Sequence, residues 1–286
     1  MKIGLWIFYG YKNRKPDLIL LSFCYATFPF MEPIISIQQL SKNYGTKKVL
    51  QDINLDIFPG QIIGYIGPNG AGKSTTVKIL TGIVHEYDGT VLIKGKPLRD
   101  QVLEVKAMTG YIPELAELYD LLTAAEYLTF VGKLHHMPQE LIDERSAKML
   151  DSFGLTENIH QRMDSFSKGM RQKVLLIAGL IHNPSIVILD EPLSGLDANA
   201  VIMVKELLQV LKTEGKTIFY CSHMMDVVEK VSDRIILIDN GQIIADGTIT
   251  DLKNGTDDSL EQIFSKLTGN GNQQYNADAL AAALHP

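Results

Sequence analysis

Apolar and polar positions alternate along this chain in ways that change character twice. From Ile34 to Ile66 short apolar runs are punctuated by Tyr44-Gly45 and Pro59-Gly60, the pattern of strands joined by turns. Within it, Ile62-Ile63-Gly64-Tyr65-Ile66 is continuously apolar and predicts a short buried strand; Ser74 to Leu80 predicts a helix. Gly89-Thr90-Val91-Leu92-Ile93, closed by Lys94-Gly95, continues the strand style, and Thr109 to Ile112 is another short strand. The period then lengthens. Thr123 to His136 and Pro138 to Phe153 carry helical spacing, with Thr123 as a cap and Gly154 as a stop. Beyond them strands and helices alternate. A helix from about Lys168 to Ile181 ends before Asn183-Pro184, and Ile186-Val187-Ile188-Leu189 is a fully buried strand. Next come a helix (Asn199 to Lys212), a strand (Thr217 to Tyr220), a helix (Met225 to Val231), a strand (Arg234 to Ile238) and a last helix, about Ser259 to Leu267. Such alternation predicts an α/β fold with a mostly parallel sheet covered on both faces. The early strands add an antiparallel β portion, and residues 115–167 an inserted helical subdomain.

The two ends depart from this pattern. Met1 to Tyr11 is aromatic-rich, Lys12 to Asp17 polar and Leu18 to Phe30 apolar. Neither apolar run reaches the roughly 20 residues that span a bilayer. Residues 1–33 are expected to be an extension outside the fold, of which residues 1–30 are expected to be non-native or from an upstream misread start, with Met31 as the natural one. Residues 269–286 are expected to be a flexible tail, leaving 34–268 as the domain.

Composition narrows the class only by exclusion. Of 286 residues, 45% are hydrophobic and 21% charged, as in ordinary globular proteins. The net charge of −6 lacks the basic excess of a nucleic-acid binder, so no nucleic-acid partner is expected. Cys24 and Cys221 match no metal or redox spacing, which fits a reduced cytoplasmic setting.

The chemistry is concentrated in Gly67-Pro68-Asn69-Gly70-Ala71-Gly72-Lys73-Ser74-Thr75, a G-x-x-x-x-G-K-[ST] loop between a predicted strand and a predicted helix. Glycines let successive backbone N–H groups turn inward as an anion nest, and the helix start adds unsatisfied N–H groups and a positive dipole end. Lys73 is expected to reach the β- and γ-phosphates of a nucleoside triphosphate, and the Ser74 hydroxyl to ligate magnesium. Asp190 and Glu191 stand where the strand Ile186–Leu189 delivers them to the carboxyl edge of the sheet. Asp190 is the candidate magnesium residue and Glu191 the candidate general base. Three further stretches are weak one by one: Ser165-Phe166-Ser167-Lys168-Gly169-Met170 reads equally as a capped helix start, Ser194-Gly195-Leu196-Asp197 as a turn, and His223 as a surface histidine.

In this order the residues closely resemble the ATP-binding cassette (ABC) ATPases, from about Ile34 to Asp246. The resemblance implies a P-loop ATPase with ATP and Mg2+ as its cofactors. Gly67 to Ser74 is then the Walker A loop, Tyr44 the aromatic that stacks on adenine, and Ile186 to Glu191 Walker B. Ser194 to Asp197 is the D-loop, and His223 the switch histidine at the γ-phosphate. Ser167, Lys168, Gly169 and Met170 form the signature that faces ATP held by a partner subunit. Two departures stand out. Lys168 and Met170 replace a glycine and a glutamine of the usual Leu-Ser-Gly-Gly-Gln, and Glu114 stands where the family offers a glutamine to magnesium. Both resemble the exporter-type branch. The implied assembly is a second ABC ATPase copy, identical or sibling, and an integral membrane permease. The permease would dock beside the helical insertion near Glu114 to Phe130 and hold this subunit at the inner face of the membrane. The alternative is a soluble ABC ATPase acting on ribosomes or DNA. Those usually carry two cassettes or a long coiled-coil insertion, and this chain has one cassette and no heptad run. No Asn-Lys-x-Asp stretch supports a GTPase, the stretches around Ser167 and His223 argue against a kinase, and Glu191 with His223 argues against a binding module without turnover.

Overall fold

A computed structural model describes residues 31–115 and 117–268. The proposed extension, apart from residues 31–33, and the proposed tail lie outside the described residues. Strands β1 (Ile35–Tyr44) and β2 (Lys47–Ile57) form a hairpin; β3 (Ile62–Ile66) runs into the glycine-rich loop and helix α1 (Lys73–Leu80). Then follow β4 (Asp88–Ile93), β5 (Lys96–Pro97), α2 (Val102–Met108), β6 (Thr109–Ile112), α3 (Ala124–Leu134), α4 (Gln139–Ser152) and α5 (Lys168–Leu180). The remainder is β7 (Ile186–Asp190), α6 (Ala198–Thr213), β8 (Thr217–Ser222), α7 (Met225–Val231), β9 (Arg234–Asp239), β10 (Gln242–Gly247), α8 (Ile249–Lys253) and α9 (Leu260–Leu267).

Two sheets result. One is antiparallel in the order β2-β1-β4-β5. The other has the order β10-β9-β3-β8-β7-β6 and is parallel except for β10. This is the expected architecture, and the continuous apolar runs explain it. Along β7, Val187 and Leu189 enter one core while Ile186 and Ile188 enter the other. Along β8, Ile218 and Tyr220 take the first side and Phe219 and Cys221 the second. A strand buried on both faces has no polar side to present, so the interior positions are apolar and the polar residues Asp190, Thr217 and Ser222 fall at strand ends. The second core is shared with the antiparallel sheet through Ile35, Ile37, Leu55 and Ile57 and with α1 through Val77 and Ile79. The first holds α5, α6 and α7 and extends into the insertion through Leu128, Ile142 and Leu150.

The expected helical insertion is present as α3 and α4, which pack on each other and on α5. A full capping box at Thr123 and Glu126 starts α3. Four elements were absent from the sequence expectation, the two-residue strand β5 among them. Helix α2 has seven residues, of which only Val105 is buried, too short for a periodicity to show. Strand β10 follows the tight turn Asn240-Gly241, whose φ values of 46° and 77° are those of a hairpin turn. Helix α8 has five residues, none of them buried.

Strand order positions the site. The chain leaves β3 for the far edge at β6, returns through β7 to β8, and then passes over β3 to β9. Connections therefore diverge on the two sides of β3, and the crevice at its carboxyl end is where ligands bind in such sheets.

Candidate functional site

The loop after β3 is shaped by close packing as much as by its own sequence. At Gly67 an added Cβ would lie 2.2 Å from the Ile238 carbonyl oxygen, so the backbone passes β9 where no side chain fits. Gly72 sits at φ 112° as the cap of α1, with no side-chain hydrogen bond to the helix end and no acidic residue in the first turn. The first-turn N–H groups are thus free of any side-chain acceptor, an anion-binding helix start. Lys73 is 7% exposed, and its ammonium donates to the Gly67 carbonyl at 2.7 Å and the Pro68 carbonyl at 3.2 Å. Behind it, Tyr65 and Thr76 share a buried hydrogen bond of 3.2 Å.

An open cleft of about 700 Å³ lies over this loop. Its walls bring together Tyr44 from the antiparallel sheet, Asn69, Gly70, Gly72, Lys73, Ser74 and Thr75 from the loop, and Glu114, Asp190, Glu191 and His223. Half of the candidates, drawn from stretches far apart in the chain, therefore share one surface. Gly67, Pro68 and Ala71 are not among the lining residues. Lys47 and Val49, which sequence reasoning passed over, flank Tyr44 in the wall. Tyr44 is about half exposed, and the Lys42 ammonium sits 4.9 Å from its ring centroid, a cation–π contact that holds the ring's orientation.

Asp190 is nearly buried, and its Oδ1 has no hydrogen-bond partner. Burial pushes its carboxyl above the usual range. The neighbouring carboxylates of Glu191 and Glu114 add to the push, while the Ser74 hydroxyl and the Lys73 ammonium oppose it. A carboxylate short of positive charge, an orphaned oxygen and a hydroxyl in the same wall form a donor set suited to a hard divalent cation such as Mg2+.

Glu191 follows β7 at φ 49°, a left-handed conformation uncommon for a glutamate. Its N–H donates to the Cys221 carbonyl at 2.9 Å, tying it to β8. The carboxylate is held on two sides: Ser222 Oγ donates to Oε2 at 2.9 Å, and His223 Nδ1 lies 2.9 Å from Oε1. In the sequence Ser222 is only the neighbour of His223. Its part at the carboxylate has no sequence signal, because it depends on β7 and β8 ending side by side.

Ser167, Lys168, Gly169 and Met170 do not line this cleft. Ser167 caps α5, accepting from the Met170 N–H. Lys168 Nζ donates to Ser194 Oγ at 3.0 Å, so the start of α5 and the 194–197 turn are joined. Asp197 caps α6 by accepting from the Ala200 N–H at 2.9 Å.

Comparison with known proteins agrees with this geometry. Residues 50–194 match the family described as ABC transporter. An uncharacterised ABC transporter ATP-binding protein of Methanocaldococcus jannaschii is 38% identical over 222 residues, 78% of this chain and 80% of that one. The linearmycin resistance ATP-binding protein LnrL of Bacillus subtilis is 36% identical over 219 residues, 77% of this chain and 70% of its own length. A solved structure of the ATP-binding subunit of an ABC transporter superposes with a TM-score of 0.78 at 30% identity. It covers 82% of this chain and 99% of that one.

Proposed function

The chain belongs to the ABC transporter family as an ATP-binding and ATP-hydrolysing subunit, and from that premise we propose that it drives export through a separate membrane permease as half of a cassette dimer. The observation that carries the reading is the meeting of Lys73, Ser74, Asp190, Glu191 and His223 in one cleft, with Asp190 Oδ1 buried and unpartnered there.

The roles follow from chemistry and position. Backbone N–H groups of residues 67–75 cradle the phosphates, and the Lys73 ammonium neutralises the β- and γ-phosphates. Tyr44 stacks on the adenine, with Lys47 and Val49 beside it. Ser74, Asp190 and Glu114 would hold Mg2+, which when bound neutralises charge on the phosphate oxygens. Glu191 accepts the proton of the attacking water as its oxygen bonds to the γ-phosphorus and the bond to ADP breaks. His223 faces the γ-phosphate and, through Nδ1, the same carboxylate.

Ser167 to Met170 and Ser194 to Asp197 lie off the chain's own cleft, which supports reading them as contacts to ATP held by a second cassette, identical or sibling. Export is supported by the similarity to an antibiotic-resistance ATP-binding protein. The permease partner is supported by two observations. No helix among the described residues is long and apolar enough to cross a membrane. Leu115, Tyr119, Leu121 and Phe130 are exposed on and beside the insertion, where the permease's loop would dock. On this reading the subunit sits at the inner membrane face through the permease.

Phosphate release from the purified protein and affinity capture from solubilised membranes test the proposal together. Lys73→Ala should lose Mg-ATP hydrolysis, and the parent should bring down an integral membrane protein. Parent-rate hydrolysis by Lys73→Ala would overturn the site. Capture of ribosomal proteins in place of a membrane protein would overturn the transport role.

A further inference from the structure

Glu191 is held from two sides, and only His223 has so far been given a part in the reaction. The other holder, Ser222, is the last residue of β8 and is 1% exposed. Parallel pairing of β7 and β8 sets Asp190 opposite Cys221, so the residues that follow them, Glu191 and Ser222, leave the sheet edge together. The two are 31 positions apart in the chain yet 2.9 Å apart at Oγ and Oε2. The direction of that hydrogen bond is set locally. The Met224 N–H donates to Ser222 Oγ at 3.1 Å, and the carboxylate can only accept, so the hydroxyl proton goes to Glu191. With Oε2 tied inward, Oε1 is the oxygen left beside His223. The contact also supports a glutamate whose backbone lies at φ 49°.

We propose that Ser222 is a positioning residue for ATP hydrolysis, a buried relay from the Met224 N–H through the Ser222 hydroxyl to Glu191 Oε2 that presents Oε1 to the attacking water. This rests on Glu191 as the general base. Its competitor is a serine that merely closes the turn after β8, by the same contact from Met224.

The test compares Ser222→Ala, Ser222→Thr, Glu191→Gln and the Ser222→Ala/Glu191→Gln double variant in the full chain. Phosphate release gives kcat and KM, and thermal melting reports on the fold. Ser222→Ala should lower kcat about tenfold, the scale of one hydrogen bond to a charged group, with KM for ATP and Tm unchanged. Threonine, which keeps the hydroxyl, should restore most of the rate. In the Glu191→Gln background the loss of Ser222 should cost less than about twofold more, because the relay then has no base to orient. Equal proportional losses in both backgrounds would overturn the proposal in favour of a turn-closing role, as would an unchanged kcat in Ser222→Ala. Should Ser222→Ala not accumulate, Ser222→Cys takes its place, since a thiol of similar size is a weak donor; the same kcat loss supports the relay and a parent rate refutes it. Slow Glu191→Gln with normal Ser222→Ala defeats this inference alone, whereas normal turnover by Glu191→Gln removes the base assignment beneath it.

Discussion

Replacing Glu191 with glutamine separates chemistry from binding, and the structure gives the expected size of each effect. The amide keeps the side chain's volume. His223 Nδ1–H can still donate to the amide oxygen, and the Ser222 hydroxyl can turn to accept from the NH2, so both 2.9 Å contacts survive. Stability should change by less than about 1 kcal/mol. The groups assigned to phosphate and metal, Lys73, Ser74 and Asp190, are untouched, so ATP affinity should hold. What disappears is a group able to take a proton from water. Loss of a positioned base costs about 10²–10⁴-fold in rate, or about 2.7–5.4 kcal/mol on the barrier. ATP should therefore persist in the cleft, and an ATP-bound dimer should accumulate. Single-turnover phosphate release measures the first effect; light scattering after size exclusion in Mg-ATP, with ADP and Lys73→Ala as controls, measures the second. Parent-rate hydrolysis would remove Glu191 from the base role. A variant that stays monomeric in saturating Mg-ATP would leave ATP binding intact but refute self-pairing, pointing to a sibling cassette or an obligatory permease.

Tyr44→Ala should weaken ATP binding by about 1–3 kcal/mol with little effect on kcat at saturation, while Tyr44→Phe should lose little; an unchanged titration would remove Tyr44 from the adenine site. Glu114→Gln removes one of the carboxylates that crowd Asp190, so Mg-ATP should bind somewhat more tightly in calorimetry, and weaker binding would instead mean that Glu114 is a needed ligand. Gly67→Ala would drive a methyl against the Ile238 carbonyl, so it should cost about 1–3 kcal/mol in denaturant unfolding and reduce ATP affinity; parent behaviour in both would show that the loop has room to spare. His182 stacks on His135 at 3.7 Å, and burial lowers its pKa to about 4. The unfolded chain therefore binds a proton below about pH 6.5 that the folded protein refuses, and stability should fall between about pH 6.5 and 4. Allowing for solvent screening at this part-buried ring, His182→Phe should recover about 1–2 kcal/mol at pH 4.5 relative to pH 7.5, and a pH slope identical to the parent's would refute the assignment.

Much of this protein was legible without coordinates because its information is local. A loop of glycines ending in Lys-Ser needs only its own backbone to become an anion nest, so residues 67–75 declare themselves wherever they stand. Apolar runs at Ile62–Ile66 and Ile186–Leu189 require burial on both faces, and that alone predicts a covered parallel sheet. Where the local signal was thin, the reading failed. Seven residues of α2 with one buried side chain do not establish a period, and β10 was missed although the Asn240-Gly241 turn announces it.

Strand order was not written in any one stretch. That β9 lies beside β3, with β8 on its other side, follows from how two cores are filled by alternate residues of the same strands. Only that order brings Asp190, Glu191 and His223 over the loop after β3. It likewise sets Ser222 against Glu191, where the sequence shows only an unremarkable neighbour of a histidine. The sequence by itself determined which chemical groups the protein owns and which backbone shapes its loops prefer, because those depend on residues a few positions apart. The tertiary structure decided which groups meet, which carboxylate oxygen is left without a partner, and that the 167–170 segment does not line the chain's own cleft. Those outcomes depend on packing between segments whose separation along the chain carries no trace of their distance in space.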